Sequence, residues 1–291
     1  MMIGCCAQLD DYITVKDQQY DYIELSAMEL MTHDDQSFRE FLALFRNTGL
    51  PCRGFNSFCG ADLPIVGPDV NLLSLKEYMD RLCGRGAELE IRSIGIGAPF
   101  ARRPPTDWPM ERSDGQMLEF MEMACATAKP YGIAVLLEAV NDYDCGYLHT
   151  TNHALRLFRE LKAENSGLVL DYYQARLMGE DWKALGFAMP SVRHVHVSGG
   201  ERGTPRTFYA PGTDDAELRG IFDCLTSQGY GGDTVSVEAD RRFLARDGAA
   251  CVKIMREIWN EKEPTVHNDD RMDSQRGGAL AQSGKTEAAM L

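Results

Sequence analysis

The sequence predicts an α/β protein whose strands and helices form one (β/α)8 barrel, the fold also called a TIM barrel. The first observation is that eight short runs of apolar and β-branched residues alternate with longer amphipathic stretches. Alternating strands and helices build parallel sheets, and eight strand–helix units close naturally into a barrel. The second observation is the length, because 291 residues accommodate a barrel of about 250 residues and a short extension.

Each predicted strand is a short apolar run bounded by turn or polar residues. The eight runs cover 3–8, 21–25, 52–58, 88–97, 133–140, 167–173, 192–198 and 234–240. Between them, apolar residues recur at three- and four-residue intervals and glycine often marks the end, which is typical of surface helices. These helical patterns cover 35–49, 74–86, 114–132, 152–167, 214–232 and 244–260.

An open, doubly wound sheet is the main alternative to a closed barrel. That fold usually carries a glycine-rich phosphate loop after its first strand, whereas residues 7–12 here read AQLDDY. The GIGAP stretch at 95–99 lacks the third glycine of a dinucleotide loop, and we interpret it as an ordinary loop. We therefore predict one barrel domain over 1–260, followed by a flexible tail over 261–291, where the sequence becomes polar and loses its periodicity.

Composition and charge narrow the range of partners. The formal net charge of −14 disfavours a nucleic-acid surface, which needs clustered Lys and Arg to neutralise phosphates. No run approaches the ~20 apolar residues of a membrane helix, and the start shows no secretory signal. The nine cysteines form no CxxC pair, which indicates reduced thiols rather than zinc-finger sites. We expect a cytoplasmic protein that binds neither nucleic acid nor membrane.

Polar residues end four of the predicted strands at the point where the apolar run would otherwise continue. These residues are Glu138, Asp171, His196 and Glu238. Active sites of (β/α)8 barrels lie at the carboxyl ends of the strands, so the four side chains are expected to converge. Three carboxylates and an imidazole brought together would repel one another unless a cation lay between them. Oxygen and nitrogen ligands suit Mn²⁺, Co²⁺, Mg²⁺ or Zn²⁺, and we take Mn²⁺ as the preferred ion.

The VRHVHV run contains a second histidine whose role differs from that of His196. Positions two apart in a strand share a face, so His194 and His196 both point into the barrel while Val195 and Val197 face the helices. Only His196 stands at the rim beside the three carboxylates. We interpret His194 as a core histidine that supports the site from below.

Four segments resemble a known family in their order and spacing. LLEAVND, LVLDYYQARLMGED, VRHVHVSGGER and VSVEAD resemble the sugar isomerase/epimerase superfamily of xylose-isomerase-like barrels, over roughly residues 1–260. The resemblance implies a divalent metal held by the four rim residues, with Glu138 and Glu238 also acting as acid/base groups. It further implies that Arg202 contacts substrate oxygens and that Asn141, which fits the family's E-x-x-N pattern, also binds substrate.

One position departs from the family pattern. Family members usually carry a substrate-contacting histidine three residues after the aspartate, and Gln174 stands there in this chain. Glutamine donates and accepts hydrogen bonds but does not titrate. The resemblance therefore implies that Gln174 can bind substrate but cannot transfer a proton.

These residues predict a metal-dependent sugar isomerase or epimerase. The expected reaction is proton abstraction next to a carbonyl, through an enediolate that the metal stabilises. The alternative is a lyase of the same fold, either an inosose-type dehydratase or the catalytic subunit of a 3-oxo C-glycoside deglycosidase. A sugar or metal sensor without activity is a third reading. We expect a sugar or keto-sugar as the small-molecule partner, with a homo-oligomer or a small partner subunit left open.

Overall fold

The computed structural model describes residues 1–210 and 215–262, and these residues form one closed parallel barrel. Each strand pairs with the next along the chain, and the last pairs with the first. The predicted (β/α)8 barrel is therefore confirmed. The strands are β1 Met2–Ala7, β2 Tyr22–Ser26, β3 Cys52–Asn56, β4 Ser93–Ile96, β5 Ala134–Glu138, β6 Ser166–Asp171, β7 Val192–Val197 and β8 Thr234–Val237.

Helices pack around the outside of the barrel. They are α1 Tyr12–Asp17, α2 Ala27–Thr32, α3 Asp35–Thr48, α4 Leu72–Glu88, α5 Met110–Ala128, α6 Thr151–Glu160, α7 Tyr172–Leu177, α8 Ala216–Ser227 and α9 Leu244–Asn260. Capping explains where α3 starts and stops. Asp34 accepts a hydrogen bond from the Ser37 amide at the start of α3, and Gly49 ends the helix with a φ of 78°.

Two predicted strands extend beyond the observed ones because a helix takes their terminal residues. The run at 88–97 shortens to β4. Helix α4 continues through Glu88, and the chain then turns at Glu90, whose φ is 56°. The run at 167–173 ends at Asp171, since Tyr172 already belongs to α7. The proposed tail at 261–291 lies outside the described residues beyond Lys262.

The apolar core lies between the barrel and its helices. Outward-facing strand residues such as Ile23, Leu25, Val195 and Val197 are fully buried there. The barrel interior is more polar, and the Tyr22 hydroxyl lies 2.9 Å from the Ser236 hydroxyl across β1. Among the described residues, no helix is both long enough and apolar enough to cross a bilayer.

A partly buried carboxylate joins α5 to the chain around α6. Asp114 accepts hydrogen bonds from the Tyr147 hydroxyl at 2.5 Å and from Arg156 at 2.6 Å, and His153 Nε2 lies 2.8 Å away. Burial alone would raise the pKa of Asp114, but Arg156, Tyr147 and His153 lower it below its usual range. The ionised form therefore stabilises the fold.

Replacing Asp114 with asparagine should lower the free energy of unfolding at pH 7 by about 1–3 kcal/mol, because a charged hydrogen-bond acceptor is lost. The wild-type contribution should be complete above the unfolded pKa of about 3.9 and should disappear as the pH falls through the lower folded pKa. Urea unfolding between pH 3 and 7 measures both effects. Asp80→Asn is the matched control, since Asp80 is half exposed and pairs only with Lys76 on its own helix. Equal losses in the two variants would contradict the role of Asp114.

Candidate metal centre and active site

The four predicted ligands meet at the carboxyl ends of β5 to β8. Each offers one ligand atom, and these atoms all lie within 4.8 Å of one another. Glu138 and Asp171 are the last residues of their strands, His196 is next to last in β7, and Glu238 directly follows β8. Convergence of these strand ends, which the sequence predicts, is thus present in the structure.

Strand register and a helix cap explain how the ligand atoms are aimed. A register shift between β6 and β7 sets Asp171 directly opposite His196. Asp171 also caps α7, because its Oδ1 accepts hydrogen bonds from the amides of Tyr173 at 2.8 Å and Gln174 at 3.3 Å. The cap uses one carboxylate oxygen and leaves Oδ2 facing the cluster.

The ligand atoms of the four residues lie around one point. His196 Nδ1 lies 3.5 Å from Glu138 Oε1 and 3.6 Å from Glu238 Oε2. Within the described ranges, Asp171 Oδ2 and His196 Nδ1 are buried without a hydrogen-bond partner. Buried polar atoms are rarely left in this condition. Three carboxylates and one imidazole are a donor set for Mn²⁺, Co²⁺, Mg²⁺ or Zn²⁺, so these residues fit a divalent cation.

Arg206 also belongs to this cluster, although no sequence pattern predicted it. Its guanidinium Nη1 donates to Glu238 Oε2 at 2.5 Å, and Nη2 lies 2.8 Å from Asp171 Oδ2 without hydrogen-bond geometry. Nε donates to the Ser198 hydroxyl, and the guanidinium lies 4.6 Å from the ring centre of Tyr173. Arg206 thus supplies a fixed positive charge between two carboxylates.

The chain after β7 folds back on itself, which separates Arg206 from Arg202. Gly199 and Thr207 exchange backbone hydrogen bonds of 2.9 and 3.0 Å, and Gly200 turns with a φ of 109°. This return places Arg206 over the barrel end. Arg202 instead lies at the tip of the loop, where it pairs with Asp142 at 2.7 Å and is nearly half exposed. The structure does not bring Arg202 into the cluster.

The charges around the cluster shift the pKa values of its members in opposite directions. Burial raises the pKa of the Asp171 carboxyl; Arg206 opposes the rise, and Glu238 and Glu138 add to it. Burial also disfavours ionised Glu238, but Arg206 and His196 lower its pKa. For His196, burial favours the neutral ring, whereas Glu24 below it and Glu238 beside it raise the pKa well above the usual range.

A cavity of about 180 Å³ opens beside the cluster. Its wall includes Ser57, Gly97, Glu138, Gln174, Arg206 and Glu238. Asn141 lies behind this wall, fully buried, and donates to Gln174 Oε1 through its backbone amide at 3.1 Å and through its side chain. Gln174 therefore faces the cavity as expected, and Asn141 holds Gln174 in place.

The cavity wall also includes part of the GIGAP stretch. A Cβ atom at Gly97 would lie 2.4 Å from Glu138 Oε2, closer than any real contact. The missing side chain makes room for the Glu138 carboxylate. The interpretation of 95–99 as an ordinary loop overlooked this role, because close packing against a distant strand leaves no local pattern.

Proteins of known structure or function resemble this chain along most of its length. L-ribulose 3-epimerase of Mesorhizobium japonicum is 25% identical over 212 residues, which cover 72% of this chain and 67% of that protein. D-psicose 3-epimerase of Clostridium cellulolyticum, solved with D-tagatose, superposes with a TM-score of 0.73 at 18% identity, covering 89% of this chain and 99% of that chain. The IolI protein, solved with a zinc atom, superposes with a TM-score of 0.70 at 18% identity, covering 90% and 97%.

The structural likenesses show the shared fold, and a family match makes the relationship specific. The family described as xylose isomerase-like TIM barrel matches residues 14–255, which contain strands β2 to β8 and all four residues of the cluster. The resemblance seen in the four sequence segments is confirmed, and the chain belongs to the xylose isomerase-like TIM barrel family.

Proposed function

We propose that the protein is a divalent-metal-dependent epimerase or isomerase of a ketose sugar. The observation that carries the proposal is the meeting of Glu138, Asp171, His196 and Glu238 at one point, where His196 Nδ1 is buried without a hydrogen-bond partner among the described residues. The similarity to an L-ribulose 3-epimerase supports a ketose as the substrate. The zinc atom of the IolI structure supports a metal site in a barrel of this fold.

Glu138, Asp171, His196 and Glu238 would hold the cation, with Mn²⁺ as the preferred ion. When bound, such a cation supplies Lewis-acid chemistry that polarises a carbonyl and lowers the barrier to removing the neighbouring proton. The chain's own residues bind the substrate and transfer the protons.

Proton transfer falls to the two glutamates that line the cavity. Glu238 is held by the Asn56 amide at 3.2 Å and by Arg206, so its carboxylate is fixed in the cavity wall. In the proposed reaction Glu238 removes a proton from the carbon next to the carbonyl. Glu138 reaches the same point from the end of β5, three strands away from β8, which Glu238 follows. In the proposed reaction Glu138 returns a proton from its own side. Return to the opposite face of the carbon produces an epimer.

Gln174 and Arg206 bind and orient the substrate in this proposal. Both line the cavity, and neither can act as an acid or base at neutral pH. The proposal therefore assigns proton transfer to Glu138 and Glu238.

The proposed reaction predicts hydrogen exchange with solvent at one carbon of the substrate. The protein, loaded with Mn²⁺, is incubated in D₂O with L-ribulose or D-psicose, and NMR follows deuterium at carbon 3 together with the new epimer. Deuterium uptake with a new epimer supports the proposal. Loss of water from the sugar, or no reaction with either ketose, contradicts it.

Metal binding should be measurable without activity. Because a cation that binds only the folded state stabilises it, Mn²⁺ at 100 times its Kd should raise the free energy of unfolding by about 2.7 kcal/mol. Calorimetry of protein stripped with EDTA, before and after addition of Mn²⁺, measures this change. His196→Gln should abolish the response, and His33→Gln, which alters a histidine that pairs with Glu29 away from the cluster, should keep it. A full response in His196→Gln would argue against the assigned ligands.

A further inference from the structure

A single buried carboxylate lies beneath the cluster and contacts both histidines of β7. Glu24 extends from β2 across the barrel interior, and its Oε2 lies 2.8 Å from His194 Nε2 and 3.1 Å from His196 Nε2. All three side chains are almost completely buried. The two imidazole rings stand nearly perpendicular, at 85°, with their centres 4.9 Å apart.

The donors and acceptors around Glu24 determine which nitrogen of each ring carries a proton. An ionised carboxylate can only accept, so both Nε2 atoms that face it must donate. The Cys6 thiol also donates to Oε2, at 3.5 Å. His194 Nδ1 lies 2.9 Å from the Thr234 hydroxyl, which can donate to it. Every group around Glu24 therefore has a consistent role.

The same assignment of donors and acceptors leaves one nitrogen of His196, Nδ1, available to bind a metal. A ring that binds a cation must be neutral, and if Nε2 then carries its one proton, Nδ1 carries only its lone pair. Nδ1 is the atom that lies 3.5 Å from Glu138 and 3.6 Å from Glu238 and has no hydrogen-bond partner within the described ranges. The hydrogen bond on one side of the ring thus decides what the other side can bind.

We propose that Glu24 is a positioning residue that holds His196 with Nε2 protonated and Nδ1 presented to the metal, and that His194 and Thr234 in turn hold Glu24. This inference rests on the proposed metal site. Carboxylates commonly orient metal-binding histidines in this manner, and losing such a partner typically costs 10–100-fold in metal affinity. Without Glu24, the nearest remaining partner of Nε2 is the weak acceptor Cys6 Sγ at 3.7 Å. The ring could then place its proton on Nδ1 and block the ligand position.

The test compares two substitutions of Glu24 with a control on the same strand. Glu24→Leu removes the acceptor, and Glu24→Gln keeps a neutral one. Tyr22→Phe removes a different buried hydrogen bond of β2, from the Tyr22 hydroxyl to Ser236, without touching either histidine. Titration calorimetry measures the Kd for Zn²⁺, and ¹⁵N spectra of the imidazoles of the Zn²⁺-loaded protein show which nitrogen of His196 carries a proton.

We expect the Kd for Zn²⁺ to rise about 10-fold in Glu24→Gln and about 100-fold in Glu24→Leu, and to stay unchanged in Tyr22→Phe. The wild-type spectrum should show the proton of His196 on Nε2. If Glu24→Leu does not fold, Glu24→Gln and the wild-type spectrum still decide the question. Unchanged Kd values at lowered melting temperatures, or a proton on Nδ1, would overturn the role of Glu24. Failure of the wild-type protein to bind Zn²⁺ would instead overturn the proposed metal site.

Discussion

Replacing Glu238 with glutamine should lower kcat by about 10²–10⁴-fold, because the amide cannot take a proton from the substrate. Glutamine keeps the size of the side chain and can still meet the Asn56 amide, so the barrel should fold normally. Arg206 would lose the carboxylate it contacts at 2.5 Å, and a small fall in melting temperature is expected. Steady-state kinetics with a ketose substrate and saturating Mn²⁺ measure the loss.

Two comparisons make the Glu238→Gln result interpretable. Metal content per chain, measured in the same sample, separates loss of a base from loss of a ligand. Glu201→Gln is the matched control, since Glu201 lies in the loop after β7 but its side chain is 82% exposed and 3.9 Å from Arg176. The control should keep wild-type kcat. Wild-type turnover in Glu238→Gln would remove Glu238 from the mechanism.

Gly97→Ala should lower kcat by about 100-fold although it adds only one methyl group. The new Cβ would lie 2.4 Å from Glu138 Oε2, so the carboxylate must move away from the position it shares with His196 and Glu238. A displacement of about 1 Å in a reacting group can cost on the order of 10²-fold in rate. The affinity for Mn²⁺ should weaken at the same time, because Glu138 is also a proposed ligand.

Gly115→Ala tests whether the effect of Gly97→Ala comes from that contact. Gly115 lies within α5, and a Cβ atom there would meet nothing within 4 Å. Alanine favours helix, so this variant should be as active as the wild type and slightly more stable. If Gly97→Ala retains wild-type kcat and Mn²⁺ affinity, the position of Glu138 does not depend on this glycine.

The sequence predicts those parts of the site that depend on strand periodicity. Glu138, Asp171, His196 and Glu238 could be placed together because each interrupts an apolar run at a strand end, and strand ends meet in a closed barrel. Alternation along β7 likewise places His194 and His196 on the inner face, and their order along the strand places His196 nearer the rim.

The remaining parts of the site depend on contacts between residues far apart in the chain, which no local sequence periodicity indicates. Arg206 reaches the cluster because Gly199 and Thr207 pair, and the spacing of the loop residues does not reveal that pairing. The contact of Glu24 with His194 and His196 crosses the barrel interior between strands distant in the chain. Each of these residues is identified only once the barrel closes.

The two carboxylate oxygens of Asp171 have different roles, and this difference offers a way to detect whether the site is occupied. One oxygen holds the amides of Tyr173 and Gln174, which begin α7, and the other faces the cluster. Because both oxygens belong to one carboxylate group, an occupant that immobilises the second oxygen also immobilises the first. The amide protons of Tyr173 and Gln174 should therefore exchange with solvent more slowly when the site is filled, so occupancy could be followed by mass spectrometry with no spectroscopic signal from the occupant.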